Sequence, residues 1–128
     1  MRAAVPRFVI LRHDHPRGVH FDFMLEAGAA LKTWALPEPP RPGAELECEA
    51  LGDHRLAYLE YEGPISGGRG SVTLWDRGEY AVVEQSDEQW VVDLAGQQLG
   101  GRVRLRRSGD AENRWRLSFA TMRQALGE

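Results

Sequence analysis

The chain contains little cysteine and no long apolar run, and each shortage excludes a class of protein. Its one cysteine, Cys48, cannot form an internal disulfide and cannot build a cysteine-rich zinc site. No apolar run approaches the roughly 20 residues that a membrane-spanning helix needs. The N-terminus also lacks the small-residue cleavage site of a signal peptide. The sequence therefore predicts a cytoplasmic protein that does not bind membranes.

Several catalytic signatures are missing as well. The sequence has no Gly-x-Ser-x-Gly nucleophile elbow and no dinucleotide fingerprint, and its glycine-rich stretch 64–70 lacks the Lys-Ser/Thr of a P-loop. Cys48 lies among acidic residues (ELECE), which oppose thiolate formation and a nucleophilic role. The net charge is −3, and only Lys32 of the sixteen basic residues is lysine. The overall charge does not indicate nucleic-acid binding.

A helical 3.6-residue apolar period is absent from almost the whole chain. Instead, 14 glycines and 7 prolines separate short runs rich in Val, Leu, Tyr and Trp, which is typical of a many-stranded antiparallel sheet. We predict a mainly β fold, a single compact antiparallel β-barrel over residues 1–128 with little helix, because closure removes free edge strands. The strands are expected at 7–13, 19–26, 29–36, 45–50, 56–61, 70–76, 79–85, 89–94, 101–107 and 114–119.

Glycine and proline also predict the connections. The dipeptides Ala27-Gly28 and Arg77-Gly78 predict tight turns, and four prolines make 37–43 a stiff, extended connection. The only helix that we expect is a short one at 121–126. Four tryptophans lie in or at the ends of strand-like runs and are expected to pack in the core. They are Trp34, Trp75, Trp90 and Trp115.

Chemically active side chains concentrate in residues 8–25, which read FVILRHDHPRGVHFDFML. If the two apolar runs form a hairpin that turns at 16–17, His13 lies directly opposite His20. His20 and Asp22 then share one face of the second strand, away from its aromatic residues. Two imidazoles and a carboxylate suit Mn²⁺, Fe²⁺ or Zn²⁺. The alternative from spacing alone is a set of ordinary polar residues beside a turn.

Further candidates follow in GDHRLAYLEYEG. In an extended run His54 and Tyr58 share a face, either as active-site groups or, on pattern alone, with Tyr58 as a half-buried core residue. The glycine-rich loop with Arg69 either holds a phosphate on its backbone N–H groups or connects two strands. Three arginines alternate with apolar residues in 101–107, which a solvated sheet face explains as well as a phosphate track does.

Four blocks of the sequence carry a family resemblance. They read HDHPRGVHFDFMLE, LKTWALPEPP, DHRLAYLEYEGPI and VTLWDRGEY, followed more faintly by QLGGRVRL and WRLSF. In this order they resemble the 3′-phosphoesterase domain of bacterial and archaeal DNA ligase D. The resemblance implies a compact β-barrel enzyme that depends on manganese and acts on DNA 3′ ends. Such enzymes trim 3′-terminal ribonucleotides and remove 3′-phosphates during end repair.

The resemblance also implies roles for individual residues. His13, His20 and Asp22 match the family's metal ligands, with Mn²⁺ as the expected ion and Zn²⁺ as the alternative. His54 and Tyr58 match the active-site histidine and tyrosine that contact the reacting phosphate. We expect the histidine to stabilise developing charge or to protonate the leaving 3′ oxygen, and the tyrosine to donate a hydrogen bond to a non-bridging oxygen.

Several positions depart from the family's pattern. Met24 stands where the HxDxR motif has its arginine, Glu38 stands at a usual lysine, and Leu46 falls near another usual arginine. Methionine cannot make the bidentate phosphate contact of an arginine. The interval between the first two histidines of the motif is one residue longer than usual. His15 is therefore an alternative ligand to His13.

Other arginines are expected to replace the missing phosphate contacts, namely Arg17, Arg55 or Arg69. Two functions follow: a phosphoesterase acting on nucleic-acid 3′ ends, or a weakened relative that serves as a metal- or nucleic-acid-binding module. We favour the enzyme, because His54 and Tyr58 are unnecessary for metal binding alone. The expected partners are nucleic-acid 3′ ends and proteins of end-joining repair, and we expect a monomer.

Overall fold

The structure is a computed structural model that describes residues 4–109 and 111–127. Within these ranges the chain forms nine strands, one short 3₁₀ helix and one short α-helix. The elements are β1 Arg7–His15, β2 Gly18–Ala27, β3 Ala30–Leu36, β4 Glu45–His54, the 3₁₀ helix Leu56–Leu59, β5 Gly63–Pro64, β6 Ser71–Gln85, β7 Gln89–Gly96, β8 Gly100–Arg107, β9 Arg114–Ala120 and α1 Met122–Ala125.

The nine strands form one antiparallel sheet that closes in a ring. Their order is β1-β2-β3-β4-β9-β8-β7-β6-β5, and β1 pairs with both β2 and β6. Ring closure gives the long strands hydrogen-bonding partners on both sides, as expected for a sheet that avoids free edges. The predicted mainly β, closed antiparallel architecture with little helix is confirmed. The extension of a single domain over 1–128 stays a prediction, and residues 1–3, 110 and 128 lie outside the described part.

The interior of the ring is filled by the inward-facing residues of the strands. On β2, Phe23 and Leu25 point into this inner core, whereas Asp22 and Met24 point to the outer face, as their alternation predicts. Three tryptophans pack edge-to-face inside it, with Trp34 5.6 Å from Trp115 and 6.2 Å from Trp90 between ring centroids. The fourth, Trp75, packs against the same core from a partly buried position. The prediction that all four serve packing is confirmed.

A second apolar cluster lies on the outer face of the sheet. It contains Val9, Leu11, Met24, Leu31, Leu59 and Val72, and we call it the outer cluster. Residues 58–65 pack against the strands here through the 3₁₀ helix and the tyrosines that follow it. Strand β1 is therefore buried on both faces, which explains its unbroken apolar run from Phe8 to Leu11.

Two local predictions were wrong. Residues 56–61 form the 3₁₀ helix and its end rather than a strand, because Leu59 is buried in the outer cluster while Leu56 and Ala57 face solvent. Residues 77–78 do not form a turn, since β6 runs without a break through them. A Cβ at Gly78 would lie 2.1 Å from the Ala95 carbonyl oxygen, so glycine permits close approach of two strands there.

Other connections agree with the sequence. The hairpin turns lie at 16–17 and 28–29, the second with Gly28 at φ 64°, where glycine is favoured. Thr121 caps α1 by accepting a hydrogen bond from the Gln124 N–H at 3.1 Å, so the predicted terminal helix is confirmed. No helix in the described residues is long and apolar enough to span a membrane.

A buried carboxylate fixes the connection between β7 and β8. Asp76 is 0% exposed, and its Oδ1 accepts hydrogen bonds from the N–H groups of Arg77, Gln97 and Gln98 at 2.8–3.0 Å. Its Oδ2 accepts another from the N–H of Leu99 at 2.9 Å. These four bonds satisfy the charge that burial would otherwise penalise. Asp76 thus has a structural role, and it lies far in sequence from the candidate ligands.

Candidate active site

The three predicted ligands meet on the β1–β2 hairpin. His13 lies directly opposite His20 in the strand register, and their ring centroids are 4.5 Å apart. Asp22 follows on the same face of β2, and one ligand atom from each residue lies within 4.8 Å of the other two. The predicted convergence of these side chains is confirmed. Their role as ligands stays a prediction.

The distances within this cluster suit a divalent cation. His20 Nε2 lies 3.0 Å from Asp22 Oδ1, and His13 Nδ1 lies 3.3 Å from Asp22 Oδ2. Two ligand atoms that share one ion at about 2.1 Å lie about 3.0 to 3.4 Å apart. Asp22 is only 3% exposed, and its Oδ1 has no well-aligned hydrogen-bond partner among the described residues. A buried carboxylate between two imidazoles, with one oxygen that lacks a well-aligned donor, fits a bound cation.

The hydrogen bond made by the second ring nitrogen of His13, Nε2, also supports a bound cation. His13 Nε2 lies 2.7 Å from the backbone carbonyl oxygen of Arg69. Because a carbonyl only accepts, Nε2 carries the proton, and Nδ1 of the neutral ring presents a lone pair to Asp22. Two acceptors that face each other need a positive charge between them, either a bound cation or a second proton on His13. Metal-binding histidines are commonly oriented by such a carbonyl.

The glycine-rich loop positions that carbonyl. The Arg69 side chain folds onto its own loop, where Nε donates to the Ser66 carbonyl at 2.7 Å and Nη2 donates to Ser66 Oγ at 3.2 Å. Gly70 has φ 83°, and a Cβ there would lie 1.8 Å from the Asp14 carbonyl oxygen. The loop therefore lies directly against β1. Sequence reasoning missed this role, because a backbone carbonyl has no residue signature beyond the glycines around it.

His15 lies close to the cluster but outside it. Its ring centroid is 5.5 Å from that of His13, and its Nδ1 accepts a hydrogen bond from the Arg17 N–H at 3.1 Å. Desolvation and then the neighbouring His13 and His20 lower the pKa of His15, with smaller contributions from Arg17 and Arg69. The arginines Arg17 and Arg69 thus lie near the histidines at the turn end of the hairpin. The three-residue cluster forms without His15.

The electrostatics of His20 differ from those of His15. Interaction with the Asp22 carboxylate raises the pKa of His20 above its ordinary value of 6.5, burial opposes this rise, and Glu49 adds to it. A cavity of about 420 Å³ opens beside His20 and is also lined by Glu49, Asn113 and Arg114. Asn113 Nδ2 donates a hydrogen bond to Glu49 Oε1 at 3.1 Å. The candidate site therefore has a polar cavity on its β4–β9 side.

Cys48 lines the same cavity as a buried thiol. Burial raises its pKa to about 12. The unreactive thiol expected from the sequence agrees with this direction, but the cause is desolvation rather than the acidic neighbours.

His54 and Tyr58 also come together, with ring centroids 5.7 Å apart. His54 is the last residue of β4, and its Nδ1 donates to the Gly52 carbonyl at 2.8 Å, which leaves Nε2 for other contacts. Tyr58 belongs to the 3₁₀ helix and packs against the outer cluster. The pair is thus made by the start of the 3₁₀ helix and not by an extended strand. Arg55 and Tyr58 line a shared cavity of about 220 Å³.

The three departures from the family's pattern have different surroundings. Met24 is 1% exposed in the outer cluster, on the same face as Asp22 and in the cluster against which Tyr58 packs. Leu46 belongs to the inner core. Glu38 is at the surface, where its carboxylate accepts from Arg41 Nε at 3.0 Å. Of these three positions, only Met24 lies on β2, the strand that carries the candidate ligands His20 and Asp22.

Known proteins resemble this chain over most of its length. Residues 11–107 match the DNA Ligase D 3′-phosphoesterase domain. The multifunctional non-homologous end joining protein LigD of Pseudomonas aeruginosa is 34% identical in an alignment 112 positions long, which covers 80% of this chain and 13% of that protein. The multifunctional non-homologous end joining DNA repair protein LigD of Mycobacterium tuberculosis is 36% identical in an alignment 118 positions long, which covers 84% of this chain and 15% of that protein.

A third relative, the multifunctional non-homologous end joining protein LigD of Mycolicibacterium smegmatis, is 32% identical in an alignment 115 positions long, which covers 77% of this chain and 15% of that protein. The chain thus spans only about one seventh of the length of these relatives. The match covers the hairpin with its ligand cluster, the His54–Tyr58 pair and the glycine-rich loop. The chain belongs to the DNA ligase D 3′-phosphoesterase domain family.

Proposed function

We propose that this chain is a metal-dependent phosphoesterase that acts on 3′-phosphate or 3′-ribonucleotide ends of DNA in end repair. Family membership supports phosphoesterase chemistry of the LigD type. The observation that supports the metal dependence is the buried carboxylate of Asp22, whose two oxygens lie 3.0 Å from His20 Nε2 and 3.3 Å from His13 Nδ1. Mn²⁺ is the expected ion and Zn²⁺ the alternative.

The proposed mechanism assigns each group one task. His13, His20 and Asp22 hold the ion, and the Arg69 carbonyl orients the first of them. When bound, the divalent ion neutralises charge on a phosphate oxygen and lowers the pKa of water. When a 3′-phosphate is removed, a water oxygen would bond to phosphorus as the bond from phosphorus to the 3′ oxygen breaks, and protonated His54 would give its Nε2 proton to that leaving oxygen, while the Gly52 carbonyl fixes its ring.

Tyr58 and nearby arginines contact the phosphate in this mechanism. The Tyr58 hydroxyl donates a hydrogen bond to a non-bridging oxygen, and Arg55 shares a cavity with it. Arg17 stands at the turn end of the hairpin beside the cluster. The guanidinium of Arg69 already binds Ser66 and would have to leave it to reach a phosphate. Arg17 and Arg55 are therefore the stronger candidates for the missing anion contacts.

Metal binding is the first test. Calorimetric titration of the metal-free protein with Mn²⁺ and with Zn²⁺ should show one site, which His20→Ala should abolish. His15→Ala is the matched control, because it removes a neighbouring histidine outside the cluster. Absence of binding for both ions in the unaltered protein would contradict the proposal. Loss of binding in His15→Ala with retention in His13→Ala would move the ligand to His15.

Turnover is the second test, with primer-templates that end in a 3′-phosphate or a 3′-ribonucleotide and with Mn²⁺ supplied. His54→Ala should lower the rate about 100-fold or more while metal binding is retained. The alternative function is a weakened module that binds metal or nucleic acid, and the burial of methionine at position 24 favours it. No turnover together with salt-sensitive retention of DNA would support that module and contradict the enzyme.

A further inference from the structure

The outer face of β8 and β9 concentrates positive charge at a distance from the hairpin. A groove of about 410 Å³ lies there, lined by four arginines, two serines and one glutamate. They are Arg104, Arg106, Arg107, Arg116, Ser108, Ser118 and Glu45. The chain as a whole carries a net charge of −3, so this concentration does not follow from composition. Guanidinium and hydroxyl donors around one groove are suited to phosphate.

The strand register places like charges against each other in this groove. Arg106 lies directly opposite Arg116 in the β8–β9 ladder, and Arg104 follows two residues away on the same face. Like charges in opposite positions destabilise a sheet. Arg116 is only weakly compensated, by Glu47 at 3.5 Å and Glu45 at 4.0 Å on the exposed surface. An anion bound between Arg106 and Arg116 reduces their repulsion and therefore stabilises the sheet.

Strand β9 connects this groove to the candidate active site. Arg114 lines the cavity that contains His20, and Arg116 lies two residues further along the same exposed face, about 6.7 Å away. The glutamates of β4 lie between the hairpin and β9, since β4 stands between β3 and β9 in the sheet and Glu45, Glu47 and Glu49 pair in register with β9. A polyanion that runs from His20 to the groove therefore crosses this acidic row beside Arg114, which lies directly opposite Glu49. We call Arg104, Arg106, Arg107, Arg114 and Arg116 the arginine track.

We propose that the arginine track binds the phosphate backbone of the nucleic acid whose 3′ end lies at the His13–His20–Asp22 cluster. The proposal rests on the proposed function for the position of the 3′ end and adds where the rest of the strand binds. The track explains how an acidic chain without lysine-rich segments holds nucleic acid. Of the alternating arginines in 101–107, Arg104 and Arg106 then serve binding, whereas Arg102 forms an ion pair with Asp93.

The affinity for nucleic acid, measured under conditions that prevent catalysis, tests the arginine track directly. The probe is a duplex with a recessed 3′-phosphate, titrated in EDTA at several KCl concentrations with the full chain. Arg104→Gln/Arg106→Gln should weaken binding at least about tenfold at 100 mM KCl and reduce the slope of log K against log salt by about 1.8. Glu45→Gln should tighten binding, because it removes the acidic side chain that lines the groove.

A matched control removes two other arginines. Arg7→Gln/Arg41→Gln changes the net charge equally but takes its charges from ion pairs with Glu60 and Glu38. This control should keep the affinity within about threefold and the salt slope nearly unchanged. The proposal would be overturned if both double variants lost duplex affinity equally. It would also be overturned if Arg104→Gln/Arg106→Gln lost no affinity.

A second readout separates this proposal from the proposed function. Hydrolysis of a mononucleoside 3′-phosphate is too local to involve the track, so Arg104→Gln/Arg106→Gln should leave its kcat and KM unchanged. For the long duplex, the same variant should raise KM and leave kcat unchanged. If no substrate is hydrolysed but the track variant loses duplex binding, the enzyme proposal fails and the track stands. If hydrolysis occurs and KM for the duplex is unchanged, the track fails alone.

Discussion

Replacing Gly70 with alanine should disrupt the candidate metal site without touching a ligand. The new Cβ would lie 1.8 Å from the Asp14 carbonyl oxygen, whereas real Cβ contacts below 3.0 Å essentially never occur. The loop must therefore move away from β1 by about 1 Å. The Arg69 carbonyl, one residue away, moves with it. A hydrogen bond of 2.7 Å to His13 would then lengthen to about 3.7 Å, beyond hydrogen-bonding range.

The expected magnitude has two parts. Alanine at a positive φ costs about 1–2 kcal/mol of folding free energy, and displacement of the loop adds to this. Loss of the carbonyl that orients a metal-binding histidine typically lowers metal affinity 10- to 100-fold. We expect a loss of this size for Mn²⁺ binding by Gly70→Ala, measured by calorimetry, together with reduced stability in urea.

Gly68→Ala is the matched control for this prediction. Gly68 has φ 68°, close to the 83° of Gly70, but a Cβ there would meet nothing within 4 Å. Both variants carry the same conformational cost, and only one forces the loop away from β1. Chemical shifts of the His13 ring nitrogens in the metal-free protein report its tautomer independently. Equal metal affinities in the two variants would refute the assigned role of the Arg69 carbonyl.

Four further predictions concern single groups. Asp76→Ala leaves four N–H groups without their acceptor and should lower the free energy of unfolding by about 3–5 kcal/mol in urea titrations. Met24→Arg places a cation in the outer cluster and should cost about 2–4 kcal/mol, whereas Met24→Leu should cost under about 1.5 kcal/mol. Acidification through the raised pKa of His20 protonates a ligand and should weaken Mn²⁺ binding about tenfold per pH unit in calorimetry. Because the pKa of Cys48 is about 12, its thiol should react with a thiol reagent at pH 8 only after unfolding.

Each of these outcomes has a clear opposite. Unchanged stability in Asp76→Ala would show that the four N–H groups find other partners. A stable Met24→Arg protein with faster 3′ processing would show that the arginine side chain reaches the site from this position.

In the metal-free protein, the raised pKa of His20 means that its contribution to stability is complete below pH 6.5 and is lost as the pH rises through the raised value. Mn²⁺ binding that is independent of pH would argue against His20 as a ligand, and fast labelling of the folded protein would argue against burial of Cys48.

The sequence predicted the hairpin well because its determinants are local. Alternation on β2 and a two-residue turn fix which side chains share a face, so the convergence of His13, His20 and Asp22 follows from spacing alone. Alternation at 56–61 wrongly predicted a strand with Leu56 and Tyr58 on one face. Burial of Leu59 against β1 favours a helical turn there, and that contact is not visible in a local pattern.

Features that depend on distant parts of the chain were not predictable in this way. Gly78 resembles a turn residue, but its role is set by the Ala95 carbonyl on another strand. The sequence indicates a role for the guanidinium of Arg69, whereas its backbone carbonyl is the group that contacts the cluster. Met24 stands at a family arginine, and its burial follows from the cover provided by residues 58–65. In each case the missing information was a tertiary contact.

The two neighbours of β1 in the sheet have a consequence for the order of folding. Its pairing with β2 joins residues that are close in the chain, so the hairpin with all three candidate ligands is complete once residue 27 is made. Its pairing with β6 joins Asp14 to Ser71 and Arg7 to Glu79, far apart in sequence. Hairpins form in microseconds, while such distant pairings come later. An ion could therefore bind the nascent hairpin and hold its register before the ring closes around it, which would make the rate of refolding depend on the metal.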